Sequence, residues 1–398
     1  MKALQRLAIV CFEDPRQVSG GVQRRVAAEI AYFAQRGAHV VVLTQGAVSD
    51  HTAGPVRYIS IPTPPIVYPL RTLIFSAKAS HYLRHLPAFD VIETHHDAGA
   101  ATLLAFHGSR PTAGALVEVV HGVFRDEFAA VRRYESLFSR GTLVAGGLLP
   151  LSIIEQVAAR RATAVVTVSR YTAGQIVRRY GVPGRRTHVI PNGIDTARYT
   201  PLDRAARPAA GRDTPCEIVF VGRWQARKGV VYLLRAFAQA YRQHPGLRLK
   251  LIGGGPLDRA LREESGQLGV TGVVEFLSGL DDAAVIAAYR GADIVCIPSL
   301  QEGQGIVALE AQACGAPVVA TRAGGLTEAV RDRETGILVP PGAVGPLADA
   351  LLELAHNGAL RRAYGRQAAA WARGFAWDQM LARAEALYGR LPAVAAAL

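Results

Sequence analysis

The chain has 398 residues, half of them apolar and 19% charged, so it can bury a sizeable core and is neither disordered, fibrous nor low in complexity. At about 150 residues per domain, that length predicts two to three domains. The net charge is +13, most of it within residues 1–200, which leaves anionic lipid, phosphorylated substrates or nucleic acid as the physical partners of a basic surface.

In chain order, the apolar run 7–12 follows Lys2 and Arg6 but is too short for a signal-peptide core, so the chain is expected in the cytoplasm, with this run as a first strand. A helix over 21–36 and a strand over 38–44 come next, then strands over 90–94, 116–120 and 164–168. That alternation predicts parallel strands joined by crossover helices. The uncharged stretch 141–154 is broken by Pro150 and falls short of the roughly 20 residues that span a bilayer. Residues 202–215 are rich in Ala, Arg, Pro and Asp without apolar periodicity, as a surface linker would be. Strands over 217–221, 247–252, 272–276, 293–297 and 317–320 then repeat the pattern, with helices over 230–242 and 256–268. The stretch 347–391 reads as successive Ala-, Leu- and Arg-rich helices with a break at Gly374 near Trp371, Phe375 and Trp377. No fixed-period repeat is present. The four cysteines form no CxxC pair and have no histidine at metal-ligand spacing, so they read as buried small side chains and no metal is expected.

The most informative block is PSLQEGQGIVALEAQACGAPVVAT, residues 298–321, which follows an apolar strand. A strand, a Gly-containing loop and a helix start form an anion- or hydroxyl-binding geometry at the carboxyl edge of a sheet. Gly303 and Gly305 allow close backbone approach, and the N–H groups near Ile306 and Val307 are free to donate. Glu302 lies in the loop, and Glu310 sits eight residues later in an otherwise apolar helix, where an unpaired carboxylate is costly. In VFVGRWQARKG, residues 219–229, Arg223 offers a planar fork and Lys228 a point charge before the next helix, a pair suited to a diphosphate. Weaker signals are the Gly20–Gly21 turn before the first helix, the glycine run around Gly254, and His121 at a strand end before a glycine. His95, His96 and Asp97 follow the strand 90–94 and are candidates for acceptor contact. There is no GxxxxGK[ST], GxSxG or HExxH motif and no strand-end DxD, which disfavours P-loop, serine-hydrolase and metal-centred chemistry.

In their order and spacing these blocks resemble the retaining GT-B glycosyltransferases of family 4, the group with a Glu-x7-Glu motif, over nearly the whole chain. The fragments are SGGVQRRVAAEIAYFAQRGAHVVVLT, VEVVHG, AVVTVSRYTAGQI, VIPNGIDTARYTP, FVGRWQARKG, LIGGGP, the Glu302–Glu310 block and FAWDQMLARAEALYGR. The resemblance implies an α/β GT-B fold: two Rossmann-like doubly wound parallel-sheet domains facing a central cleft, and a C-terminal helix crossing back to the N-terminal domain. The expected domains are 1–200 for the acceptor, 201–374 for the nucleotide-sugar donor, and 375–398 for the returning helix. It implies that Glu310 bonds the ribose hydroxyls and that Arg223 and Lys228 hold the diphosphate, with backbone help from Gly20 and Gly21. Glu302, with the amides of Gly303, Gln304, Gly305, Ile306 and Val307, would orient the donor sugar. Gly254 would lie at the donor, His121 would line the sugar site, and the backbone around Leu280 would border the base. The partners implied are a nucleotide-diphosphate sugar and a hydroxyl-bearing acceptor such as a lipid-linked or small-molecule glycan. No cofactor or metal is required. Gln304 departs from the aromatic residue common at that position.

The basic stretches 68–85 and 125–140 mix Phe, Leu and Tyr with cations, and so suggest a peripheral anionic membrane surface. The competing reading of the charge is a membrane- or nucleic-acid-binding protein on the same fold without transfer; the motifs favour transfer and no nucleic acid. A pyridoxal-dependent phosphorylase would need Lys2, Lys78, Lys228 or Lys250 as its Schiff-base lysine, and Lys228 is better used on phosphate.

Overall fold

Leu7, Ala8, Ile9 and Val10 are fully buried, as a central parallel strand covered on both faces must be. The computed structural model describes residues 4–17, 20–66, 68–95, 98, 113–134, 149–202 and 215–392. The described residues divide into two compact units: the first runs to Phe128, resumes with the residues from 149 to Gly193 and again at Trp377, and the second takes in 129–134 and runs from Ile194 to Ala376.

The first half of the chain holds β1 (Arg6–Val10), α1 (Gly21–Gln35), β2 (His39–Gln45), β3 (Ser49–Ala53), β4 (Val56–Ile61), α2 (Tyr68–His85), β5 (Phe89–His95), β6 (Ala113–Val120), α3 (Phe124–Tyr134), α4 (Leu149–Arg161), β7 (Ala164–Thr167), α5 (Arg170–Gln175) and β8 (Thr187–Val189). The strands lie in the order β3-β4-β2-β1-β5-β6-β7-β8, parallel except for β3, which pairs antiparallel with β4. Strand alternation divides the core. Leu7 and Ile9 face Val26, Ile30 and Phe33 of α1, while Ala8 and Val10 face Phe75, Ala79 and Leu83 of α2.

The second unit holds β9 (Cys216–Arg223), α6 (Val230–Gln243), β10 (Leu247–Gly254), α7 (Asp258–Gln267), β11 (Val274–Leu277), α8 (Asp282–Gly291), β12 (Ile294–Ile297), α9 (Ile306–Ala313), β13 (Val318–Thr321), α10 (Leu326–Ala329), β14 (Gly336–Val339), α11 (Val344–His356) and α12 (Gly358–Ala372). Its six strands are all parallel, in the order β11-β10-β9-β12-β13-β14. Ile218 and Phe220 face one core with α6 and α11, and Val219 faces the other with α8 and α9.

After the turn at Arg373–Phe375, α13 (Trp377–Tyr388) packs on the first unit, with Met380, Leu381 and Ala384 buried against the α1 side of that sheet. The expected linker falls almost wholly on residues 203–214, outside those described. The change of unit lies earlier, because Ile194 and Tyr199 are buried with Ile286 and Tyr289 of the second unit. The Ile194 N–H also donates to the Phe375 carbonyl at 2.8 Å. All four cysteines are buried and none forms a disulfide. Among the described residues, no helix is long and apolar enough to cross a membrane.

Candidate functional site

In the second sheet the chain runs outward from β9 through β10 to β11, then returns to start β12 on the other side of β9. Loops leaving β9 and β12 therefore diverge, and this reversal point at the carboxyl edge of an open parallel sheet is where ligands bind. The loop 224–229 leaves β9 and the loop 298–305 leaves β12. They are locked together: the Leu300 N–H donates to the Arg227 carbonyl at 2.7 Å, and Lys228 Nζ meets Glu302 Oε2 at 2.5 Å. Ser299 Oγ donates to the same oxygen of Glu302 at 3.2 Å.

Gly229 sits at φ 66°, where a side chain is strained, and a Cβ there would lie 2.0 Å from the Pro298 carbonyl oxygen. A third loop, from β13, closes on the second: the Gly325 N–H donates to the Glu302 carbonyl at 2.9 Å, and a Cβ on Gly325 would lie 2.0 Å from the Gly303 carbonyl oxygen. Burial pushes the Glu302 carboxyl up, but the charges of Lys228 and Arg227 and the hydrogen bonds from Lys228 and Ser299 outweigh it and hold it below the usual range.

The structure thus brings Lys228, Glu302 and Gly303 to Val307 into one place. α9 begins at Ile306 with Gly305 as its N-cap and no side-chain cap, so its first N–H groups have no capping side chain. Arg223 ends β9 with its side chain exposed, and among the described residues that side chain has no hydrogen-bond or ion-pair partner, while its carbonyl accepts from the Gln225 N–H at 3.0 Å. Gly254 accepts from the Trp224 N–H at 2.8 Å, tying the ends of β9 and β10. Leu280 is exposed in the turn after β11. Gln304 is buried in the loop rather than presenting its amide as an open wall. Glu310 is 2% exposed, and the buried Tyr289 hydroxyl donates to it at 3.1 Å. Tyr289 was invisible as a partner in the sequence, because it comes from α8.

In the first unit, Gly20 caps α1 without a side chain and Gly21 opens the helix. His121 follows β6, and its Nε2 lies 3.1 Å from Nδ1 of His95, the last residue of β5, with the rings stacked. His96 and Asp97 lie outside the described residues. His95 corrects the expectation of acceptor contact: it is 2% exposed, and its ring turns into the unit instead of out of the strand end. Its Nε2 sits between two buried carboxylates, 3.3 Å from Glu29 Oε2 and 3.2 Å from Glu93 Oε1. Glu29 also holds Arg25 at 2.7 Å, Arg25 donates to the Ile190 carbonyl at 3.0 Å, and the Tyr388 hydroxyl donates to Glu93 at 2.7 Å. Burial alone would lower the His95 imidazole, but Glu29 and Glu93 outweigh it and push it up to about 9. Of these groups only the Arg25–Glu29 spacing, four apart on the apolar face of α1, was a readable signal. The basic stretch of α2 exposes Leu70, Leu73 and Tyr82; that of 125–140 is described only as far as Tyr134.

Two parallel-sheet units in one chain, the second wound as a nucleotide-binding sheet and the last helix returned to the first, are the architecture of the GT-B glycosyltransferases. The family described as Glycosyltransferase Family 4 matches residues 19–198, and that described as Glycosyl transferases group 1 matches residues 204–371. The D-inositol 3-phosphate glycosyltransferase of Acidothermus cellulolyticus is 33% identical over 389 residues, covering 90% of this chain and 83% of that one. This chain belongs to the family 4, group 1 glycosyltransferases. The enzyme of the same name from Actinosynnema mirum is 39% identical over 247 residues, 59% of each chain. With the first three such relatives the match spans 59%, 51% and 48% of their length. Among solved structures, the sucrose-phosphate synthase of Thermosynechococcus elongatus shares the fold at TM-score 0.83 and 23% identity, covering 97% of this chain and 99% of that one. An Anabaena protein in complex with UDP-glucose does so at TM-score 0.73 and 21% identity, over 96% and 99%.

Two outcomes follow from the interlocked loops. Gly229→Ala places a methyl against the Pro298 carbonyl in a left-handed conformation, so it should cost more than about 1 kcal/mol and lower the melting temperature; a melt unchanged from wild type would show that the loops are not held this way. Glu302 has a folded value below its ordinary 4.5, so the stability it contributes is complete above 4.5 and is lost as pH falls through the folded value. Melts of Glu302→Gln taken from neutral pH down through that range should therefore decline less steeply than wild type, and parallel declines would contradict the assignment.

Proposed function

We propose that this chain is a retaining glycosyltransferase that moves a sugar from a nucleoside-diphosphate sugar to a hydroxyl acceptor. The observation that carries the reading is the Lys228–Glu302 contact, with Arg223 and the uncapped start of α9, at the reversal point of the second sheet. Breaking the anomeric C–O bond leaves negative charge on the departing diphosphate. Fixed cations and a helix N-terminus stabilise that charge as it develops. Arg223 supplies a bidentate fork and Lys228 a point charge, so on this reading the protein provides the electrostatic role a metal would fill. Glu302 and the amides of the following loop orient the sugar, and Glu310 takes the ribose hydroxyls. His121 acts at the sugar, and substitution occurs on the same face, with the leaving phosphate assisting removal of the acceptor proton. The relatives named for D-inositol 3-phosphate make a phosphorylated polyol the first acceptor to try.

A calorimetric screen of UDP, GDP, ADP and their sugar conjugates, with and without magnesium, tests the donor half. One nucleotide should bind in the absence of magnesium and raise the melting temperature in step with its affinity. Arg223→Ala or Lys228→Ala should weaken that binding roughly 10- to 100-fold, the range for losing a charge-assisted contact. Silence from every nucleotide, or binding by both variants as tight as that of the wild type, would overturn the reading.

A further inference from the structure

The first unit buries a charged cluster that the reaction as described does not use. Arg25 and Glu29 of α1, Glu93 and His95 of β5 and Tyr388 of α13 are each at most 5% exposed. Isolated charges at such depth cost several kcal/mol apiece, so the cluster must balance. Two carboxylates face one guanidinium, and a single further proton, on the His95 ring or on Glu93, brings the sum to zero.

From this geometry we infer that His95 is a positioning residue for His121, fixing its tautomer by donating a hydrogen bond from Nδ1 to His121 Nε2. The inference rests on the reading of His121 as a residue of the transfer site. The contact runs over 3.1 Å between two ring nitrogens, so one of them donates and the other accepts. If the balancing proton stays on His95, both its nitrogens carry hydrogen: Nε2 is ion-paired with Glu29 and Glu93 at 3.3 and 3.2 Å, and Nδ1 donates to His121. If the proton moves to Glu93, the carboxyl donates to Nε2, and the neutral ring still carries its hydrogen on Nδ1. Burial and the charge of Glu29 push Glu93 up, so both placements are within reach. Either way His121 accepts at Nε2 and carries its own hydrogen on Nδ1.

Only loss of the shared proton reverses the direction. With two ionised carboxylates at 3.2 and 3.3 Å, a neutral His95 must keep its hydrogen on Nε2, so Nδ1 becomes the acceptor and His121 switches to the Nε2–H form. The groups bearing on this balance from the surrounding elements are Arg25 and Glu29 of α1, Glu93 of β5, His121 after β6 and Tyr388 of α13. Cys11 after β1, raised by burial and by Asp14 and Glu29, stays a neutral thiol. Glu118 of β6, also buried, accepts from the Thr94 hydroxyl.

Nitrogen-15 spectra of the histidine-labelled full chain test this without any assay of transfer. The His121 and His95 signals are assigned by their loss in His121→Asn and His95→Asn. At neutral pH His121 Nε2 should be pyridine-type and Nδ1 pyrrole-type, with the two exchanging character as pH rises through about 9. His121 protonated on Nε2 at neutral pH overturns the inference, whatever the enzyme transfers. His95→Asn places an amide nitrogen near the former Nδ1 and should keep most of the rate, whereas His95→Leu should lower kcat about tenfold or more. Nucleotide affinity should stay within about twofold in both, since the proposed diphosphate side chains, Arg223 and Lys228, lie in the second unit. Equal losses in kcat and nucleotide affinity for both variants would mark a purely structural role and also overturn it. Absence of transfer by wild type with an intact tautomer pattern would instead count against the proposed function alone.

Discussion

Lys228 and Glu302 meet at 2.5 Å because Gly229 lets the loop after β9 pass against the Pro298 carbonyl, and everything at the carboxyl edge of the second sheet depends on that close approach. The backbone bond from Leu300 to Arg227 and that from Gly325 to Glu302 join three successive loops into one frame. A frame of this kind fixes its N–H groups and Lys228 before a ligand arrives, so little reorganisation of these groups remains for the moment of reaction. It also explains why so many glycines cluster there: the loops approach backbone to backbone, and a Cβ has no space.

The first unit solves a different problem. Its sheet buries Glu29, Glu93 and His95 together, at a desolvation cost that only mutual pairing offsets. Tyr388 completes that pairing from the far end of the chain, so α13 is held on the first unit by a hydrogen bond to Glu93 as well as by Met380, Leu381 and Ala384. The returning helix is therefore both a packing element and part of the charge balance around His95.

The sequence showed the central strands plainly, because parallel strands covered on both faces read as unbroken apolar runs such as residues 7–12 and 218–221. β3, β4 and β8 escaped for the opposite reason: in β4, Arg57 and Ser60 interrupt the apolar run. Ser49–Ala53 is wholly exposed and polar, and Thr187–Val189 is a three-residue, half-buried edge strand. β14 was not read either, although Gly336–Val339 is as short and as buried as β12 and β13. In the second unit Lys228 and Glu302 could be found by motif because each stands next to a loop glycine on a strand–loop–helix pattern. The rest of the His95 cluster could not: Glu93 stands two residues before His95 on one face of β5, but Tyr388, which donates to Glu93, lies 295 positions further along, and no local spacing connects it. His95 itself was read as facing outward from a strand end. Two buried carboxylates turn it inward.

The most direct test of the account is a crystal structure of the protein with the nucleoside diphosphate that binds it most tightly. The account places the diphosphate against Arg223, Lys228 and the first amides of α9, with the ribose reaching Glu310. Density for the nucleotide elsewhere, with Lys228 still closed on Glu302 and Arg223 unoccupied, would contradict it.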